Sequence, residues 1–141
     1  MHIEPDDVLL NKSSIIERCI RRIREEYNAC PELTNFTHLD ALILNIERSC
    51  QAAVDMAMHI IAVNHLGIPQ TSSAAFELLF KNNIIDKKLS VSMQAMTGFR
   101  NIAVHEYQTL DNTIVRKIAN DNYKDFIEFC KAFKIIIKEY I

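Results

Sequence analysis

Glycine and proline are almost missing from this chain, with two of one and three of the other in 141 residues. So few breakers leave little room for the turns of a β-sandwich or barrel, and the expectation is an all-α fold. Long apolar runs are missing too, and nothing spans a membrane. The first residues carry no basic region followed by an apolar core, so no secretory signal is expected. No C-x-x-C pair occurs among Cys19, Cys30, Cys50 and Cys130. Without that spacing, or a histidine at zinc spacing, neither a zinc site nor a redox pair is expected. Three of the four fall on helical apolar faces and read as reduced core residues of a cytoplasmic protein. The formal net charge of −2 excludes a generic coat for nucleic-acid backbone. It does not exclude an enzyme with a small basic pocket.

What is present is hydrophobic helix. Nearly half the residues are apolar, and the length suits one domain over residues 1–141 with a proper core. Ile16, Cys19, Ile20, Ile23 and Tyr27 recur at helical spacing and predict a first helix from about Asp7 to Asn28. Arg18, Arg21 and Arg22 cluster on its opposite face with Arg24 flanking them, which reads as a solvated face or, alternatively, a patch for RNA or a partner. Thr37 and Asp40 resemble a capping box for a long second helix, from about His38 to Leu66, with Gly67 as its stop. Along it Arg48, Gln51, Asp55 and His59 form a polar stripe in which an Asp–His pair is possible. Thr71-Ser72-Ser73 can cap a short third helix that ends near Asn82-Asn83, and Ser90 can cap a fourth. Asp111 or Asn112 opens a last helix towards Tyr140, with a kink expected at Asn120-Asp121-Asn122. The sum is an up-and-down bundle of four to five helices.

One stretch concentrates the chemistry: Arg100-Asn101-Ile102-Ala103-Val104-His105-Glu106-Tyr107. It sets a permanent cation, an amide, an imidazole and a phenol within two turns. On a continuous helix Arg100 and Tyr107 share nearly one line, with His105 about 140° from Arg100. Leu89, Met93 and Met96 lie on the Arg100 side and Val91, Ala95, Phe99 and Ile102 on the other. A helix apolar on both sides predicts core on one and a second subunit on the other, with Arg100 among methionines at the seam. Imidazole can take and return a proton at neutral pH, and guanidinium grips phosphate oxygens. Those are the two jobs of metal-free RNA cleavage, and a two-fold homodimer would supply the second acid–base group. The spacing alone is a short pattern that leaves a structural polar network open as the other reading.

The stretch resembles the signature of HepT toxins, a branch of the HEPN superfamily: Arg, four residues, His, any residue, Tyr. LNIERSCQAAVDMAMHI (Leu44 to Ile60) is similar to the family's second helix. LGIPQTSSAAFELLFKNNII (Leu66 to Ile85) is similar to its Gly-x-Pro turn and third helix, and MTGFRNIAVHEY (Met96 to Tyr107) to its active helix. The resemblance implies a homodimeric helical bundle acting as a metal-independent endoribonuclease toxin, with no cofactor. Its implied partner is an MntA-like nucleotidyltransferase antitoxin. Carried over by position, Arg100 and His105 would be catalytic and Asn101 substrate-orienting. Tyr107 would be the hydroxyl that receives AMP. The alternative is a nuclease-inactive HEPN protein that serves as binding partner of a nucleotidyltransferase.

Overall fold

The computed structural model describes residues 3–138, all of whose regular elements are helical. Four helices come first: α1 (Asp7–Ala29), α2 (Phe36–Val63), α3 (Ser72–Lys81) and α4 (Lys87–His105). A 3₁₀ turn (Tyr107–Thr109) leads into α5 (Asn112–Lys117), a π segment (Ile118–Asn122) and α6 (Lys124–Lys131). The all-α bundle is as expected, and the expected kink is the π segment itself. Tyr140, the expected end of the last helix, lies outside the described residues, and the helix stops at Lys131.

The core runs along α2, which packs on α1, α3 and α4. Leu42, Ile46, Cys50, Ala53, Ala57 and Ile60 are sequestered at heptad-like spacing. The small Ala52, Ala53 and Ala57 let neighbouring backbones approach closely. Phe76, Phe129 and Phe133 form two edge-to-face pairs, with centroids 5.5 and 5.1 Å apart, that join α3 to the C-terminal segment. Cys19, Cys50 and Cys130 are buried free thiols, as their positions implied.

The helix caps fall partly elsewhere than expected. Asp6 caps α1 through its carboxylate on the Leu9 amide, and Thr71 caps α3. For α2 the cap is Asn35, whose Oδ1 accepts from the Thr37 and His38 amides, so Thr37 is already inside the helix. For α4 it is Asp86; Ser90 sits one turn in and is buried, donating to the Phe76 carbonyl at 3.2 Å. The stop of α2 comes before Gly67. His65 takes the left-handed conformation (φ 54°), with its amide on the Ala62 carbonyl and the Leu66 amide on the Ile61 carbonyl. Asn83 (φ 60°) closes α3 by the same pair of bonds. Both are Schellman caps, built here with few glycines to spare for them. Gly67 (φ 137°) serves in the following turn.

Arg24 leaves the solvated face assigned to it. Its guanidinium stacks 4.9 Å over the Tyr123 ring and donates to the Ala119 carbonyl at 2.6 Å. Ala119 lies in the π segment, so the cation pins α1 to the point where the last helix is distorted.

Candidate active site at the end of α4

The first half of α4 is anchored in the core. Met93 and Met96 are buried, Thr97 shares a hydroxyl contact with Ser73 at 3.2 Å, and Phe99 is covered. Beyond Phe99 the helix emerges. Asn101, Ile102, Val104 and His105 are exposed, Arg100 is half-buried, and only Ala103 faces inward. The methionine side is therefore the chain's own core, not a subunit seam, and Arg100 is not buried among methionines. The uncovered apolar side of α4 is the other one: Val91, Ala95 and Ile102 face outward, with Val91 57% and Ile102 41% exposed.

The helix also ends sooner than a continuous reading implies. It closes at His105, with the Glu106 amide on the Ile102 carbonyl at 2.7 Å. Tyr107 therefore opens the 3₁₀ turn and does not lie on the Arg100 line. Three local bonds hold that turn: the Leu110 amide on the Tyr107 carbonyl, and the Thr109 amide and hydroxyl both on the Glu106 carbonyl. Its phenol donates a short hydrogen bond to the carboxylate of Asp40, on the first turns of α2. The break at Glu106 is what lets the ring reach α2. The hydroxyl is pushed up to about 12, by desolvation first, then by the Asp40 bond and the charges of Asp40 and Glu47.

Glu47 completes the surroundings. It lies two turns after Asp40 on the same line of α2 and is half-buried. Desolvation raises its carboxyl above the usual range, against the opposing pull of Arg100 and Arg48. Arg100 itself donates to the side-chain Oδ1 of Asn101 at 3.4 Å. The exposed end of α4 thus gathers a guanidinium, an amide and an imidazole beside a phenol–carboxylate pair. Arg100 and His105 are not joined by a hydrogen bond within the chain. Asp40 and Glu47 were not recognised from the sequence; their seven-residue spacing was the available signal.

The polar stripe of α2 dissolves into separate contacts. Asp55 binds Lys12 at 3.0 Å and accepts from Gln51 at 2.8 Å, whereas His59 pairs with Asp6 at 2.6 Å. Asp55 and His59 therefore form no pair, because each meets a partner from α1 or its cap. A cleft of about 470 Å³ lies away from this site, where Ile85, Lys88 and Leu89 face Asp125 and Glu128 of α6. Neither Arg100 nor His105 lines that cleft; Arg100 is half-buried and His105 exposed. Among the described residues no group of three His, Cys, Asp or Glu side chains is placed to hold a metal ion.

A family model described as ribonuclease HepT-like matches residues 16–133. A Shewanella oneidensis protein named mRNA nuclease HepT is 42% identical over 130 residues, covering 92% of this chain and 98% of its own. A solved structure of a tri-AMPylated Shewanella oneidensis HEPN toxin in complex with an MNT antitoxin matches with a TM-score of 0.88 at 41% identity. It covers 92% of this chain and 98% of that one. A toxin–antitoxin structure with AMP-PNP matches with the same TM-score, identity and coverage. With the family model spanning most of the chain and a 42% identical relative matched over nearly its whole length, the protein belongs to the HepT-like ribonuclease family.

Proposed function

We propose that this chain is the endoribonuclease toxin of a toxin–antitoxin pair, cutting RNA in the cytoplasm without a metal ion. The observation that carries the reading is the exposed end of α4, where Arg100, Asn101 and His105 stand clear of the core. His105 takes the proton of a ribose 2′-hydroxyl, whose oxygen attacks the adjacent phosphorus. The bond to the 5′-oxygen breaks, leaving a 2′,3′-cyclic phosphate and a protonated 5′-hydroxyl. Arg100 grips the phosphate and stabilises the added charge on phosphorus, and Asn101 orients the substrate. One histidine does not readily serve both the attacking and the leaving oxygen. A second copy, packed by two-fold symmetry, supplies the other from its own α4. The uncovered Val91, Ala95 and Ile102 give that homodimer an apolar surface on the same helix.

The partner is an MntA-like nucleotidyltransferase antitoxin that transfers AMP to Tyr107. The ring is 42% exposed and sits two residues from His105, so the hydroxyl is within reach of a transferase. Each added AMP brings a negative phosphodiester and a nucleoside's volume to the place where RNA must bind. Intact mass of the protein co-expressed with such a transferase, followed by peptide mapping, tests this. The expected result is a gain of one or more AMP units on the Tyr107 peptide, absent in Tyr107→Phe. An unmodified mass beside a demonstrably active transferase would overturn the AMP-transfer step.

A further inference from the structure

A second cationic surface adjoins the α4 site and takes no part in the chemistry above. Arg18 and Arg22 stand one turn apart on α1 and face Arg48 of α2 across a groove of about 380 Å³. Ile15, Cys19 and Asn45 complete its lining. Arg22 is held by Glu25 and Glu26 at 2.8 and 2.6 Å. Arg18 and Arg48 are exposed and have no hydrogen-bond acceptor or ion-pair partner among the described residues. Both line the same groove as Cys19, whose thiol feels their two charges.

Two observations connect this groove to RNA. Arg48 on the groove wall directly follows Glu47 in α2, and the Glu47 carboxyl feels the charges of both Arg48 and Arg100. In addition, the lining holds three arginines and no aromatic ring. Planar guanidinium forks match phosphate oxygens, whereas reading a base needs a stacking surface or edge contacts. In a chain of net charge −2, unpaired arginines gathered in one groove are a local exception that complements a polyanion.

We propose that the α1–α2 groove walled by Arg18, Arg22 and Arg48 binds the phosphate backbone of the RNA strand flanking the scissile bond. The groove acts as a sequence-independent extension of the site, and the inference rests on the ribonuclease reading given above. Substrate length then matters: a strand that reaches from Arg100 across Glu47 to Arg48 is held more tightly than one that ends at the cut.

The test is fluorescence anisotropy with a labelled single-stranded RNA of about 20 nucleotides over a range of salt, on the full-length protein carrying Arg18→Gln and Arg48→Gln. Losing two phosphate contacts should flatten the slope of log Kd against log salt by about 1.4 and weaken binding about tenfold or more at low salt. The charge-keeping pair Arg18→Lys and Arg48→Lys should retain the wild-type slope, and thermal melts of both variants should match wild type. In cleavage assays the Gln pair should raise KM for the long RNA with kcat unchanged. A wild-type slope in the Gln pair would overturn the proposal. So would an unchanged RNA slope combined with weakened binding of the antitoxin, which would make the groove a protein contact. Binding is scored without cleavage, so a protein that binds RNA through the groove but cuts none refutes the ribonuclease reading alone.

Discussion

The two ends of α4 differ in almost every physical respect. Its first half is capped by Asp86, bonded through Ser90 and Thr97 to α3, and buries Met93 and Met96. Beyond Phe99 the helix buries only Ala103 and leaves Asn101, Ile102, Val104 and His105 in the open. One helix therefore separates stability from chemistry along its length. The anchored half fixes where the exposed half points, and the exposed half contributes little to holding the fold. Substitutions at the two ends should then move different observables.

The largest effect is expected at the anchored end. Phe76→Ala removes a fully buried ring that packs edge-to-face on Phe129 of α6, beneath the α3 turn that holds Ser90, and should cost about 3–5 kcal/mol of stability, read from urea unfolding. At the exposed end, Arg100→Ala should lower kcat for RNA cleavage by about 10²–10³ while the melting curve stays within error of wild type. A matching fall in melting temperature would break the comparison, because it would make Arg100 part of the fold. Ser90→Ala sharpens it from the other side. Loss of the hydroxyl bond to the Phe76 carbonyl should cost about 1 kcal/mol with cleavage by the folded protein unchanged. The smallest effect concerns the phenol beyond the helix. Asp40→Asn should lower the Tyr107 ionisation from about 12 towards its ordinary value of 10.0, and only part of the way, because desolvation is the larger cause. Ultraviolet titration against Tyr107→Phe as the blank reads that residue alone; an unshifted curve would remove Asp40 from the account.

The same division governs what could be read from the sequence. The helix cores were legible because burial follows spacing: Ile16, Ile20 and Ile23 on α1, and Leu42, Ile46 and Cys50 on α2, all lie where periodicity put them. The kink at Asn120-Asp121-Asn122 was legible from three poor helix formers in a row. Caps were less so, because several residues in reach could serve. Thr37 and Ser90 lost to Asn35 and Asp86, and for Ser90 the deciding partner is a carbonyl fourteen residues back. His65 in place of Gly67 is a choice that backbone bonds make and residue type does not.

Within the site, Arg100 and His105 were visible as a local pattern, and Asn101 with them. Their surroundings were not. Asp40 belongs to Tyr107 only because α4 ends at His105 and the chain turns towards α2, a fact of tertiary structure. Arg48 and Arg24 show the same limit from opposite directions. Arg24 was read with a solvated face and Arg48 with a polar stripe, yet Arg24 stacks on Tyr123 and Arg48 stands on the wall of the α1–α2 groove.

Cleavage of a single-stranded RNA by wild type and by His105→Ala, in buffer containing a chelator, tests the central claim most directly. The account predicts that wild type cuts the RNA with chelator present and leaves a 2′,3′-cyclic phosphate end. It predicts that His105→Ala loses cleavage by about 10²–10⁴ with an unchanged melting curve. Wild-type rates in the well-folded His105→Ala protein would contradict it.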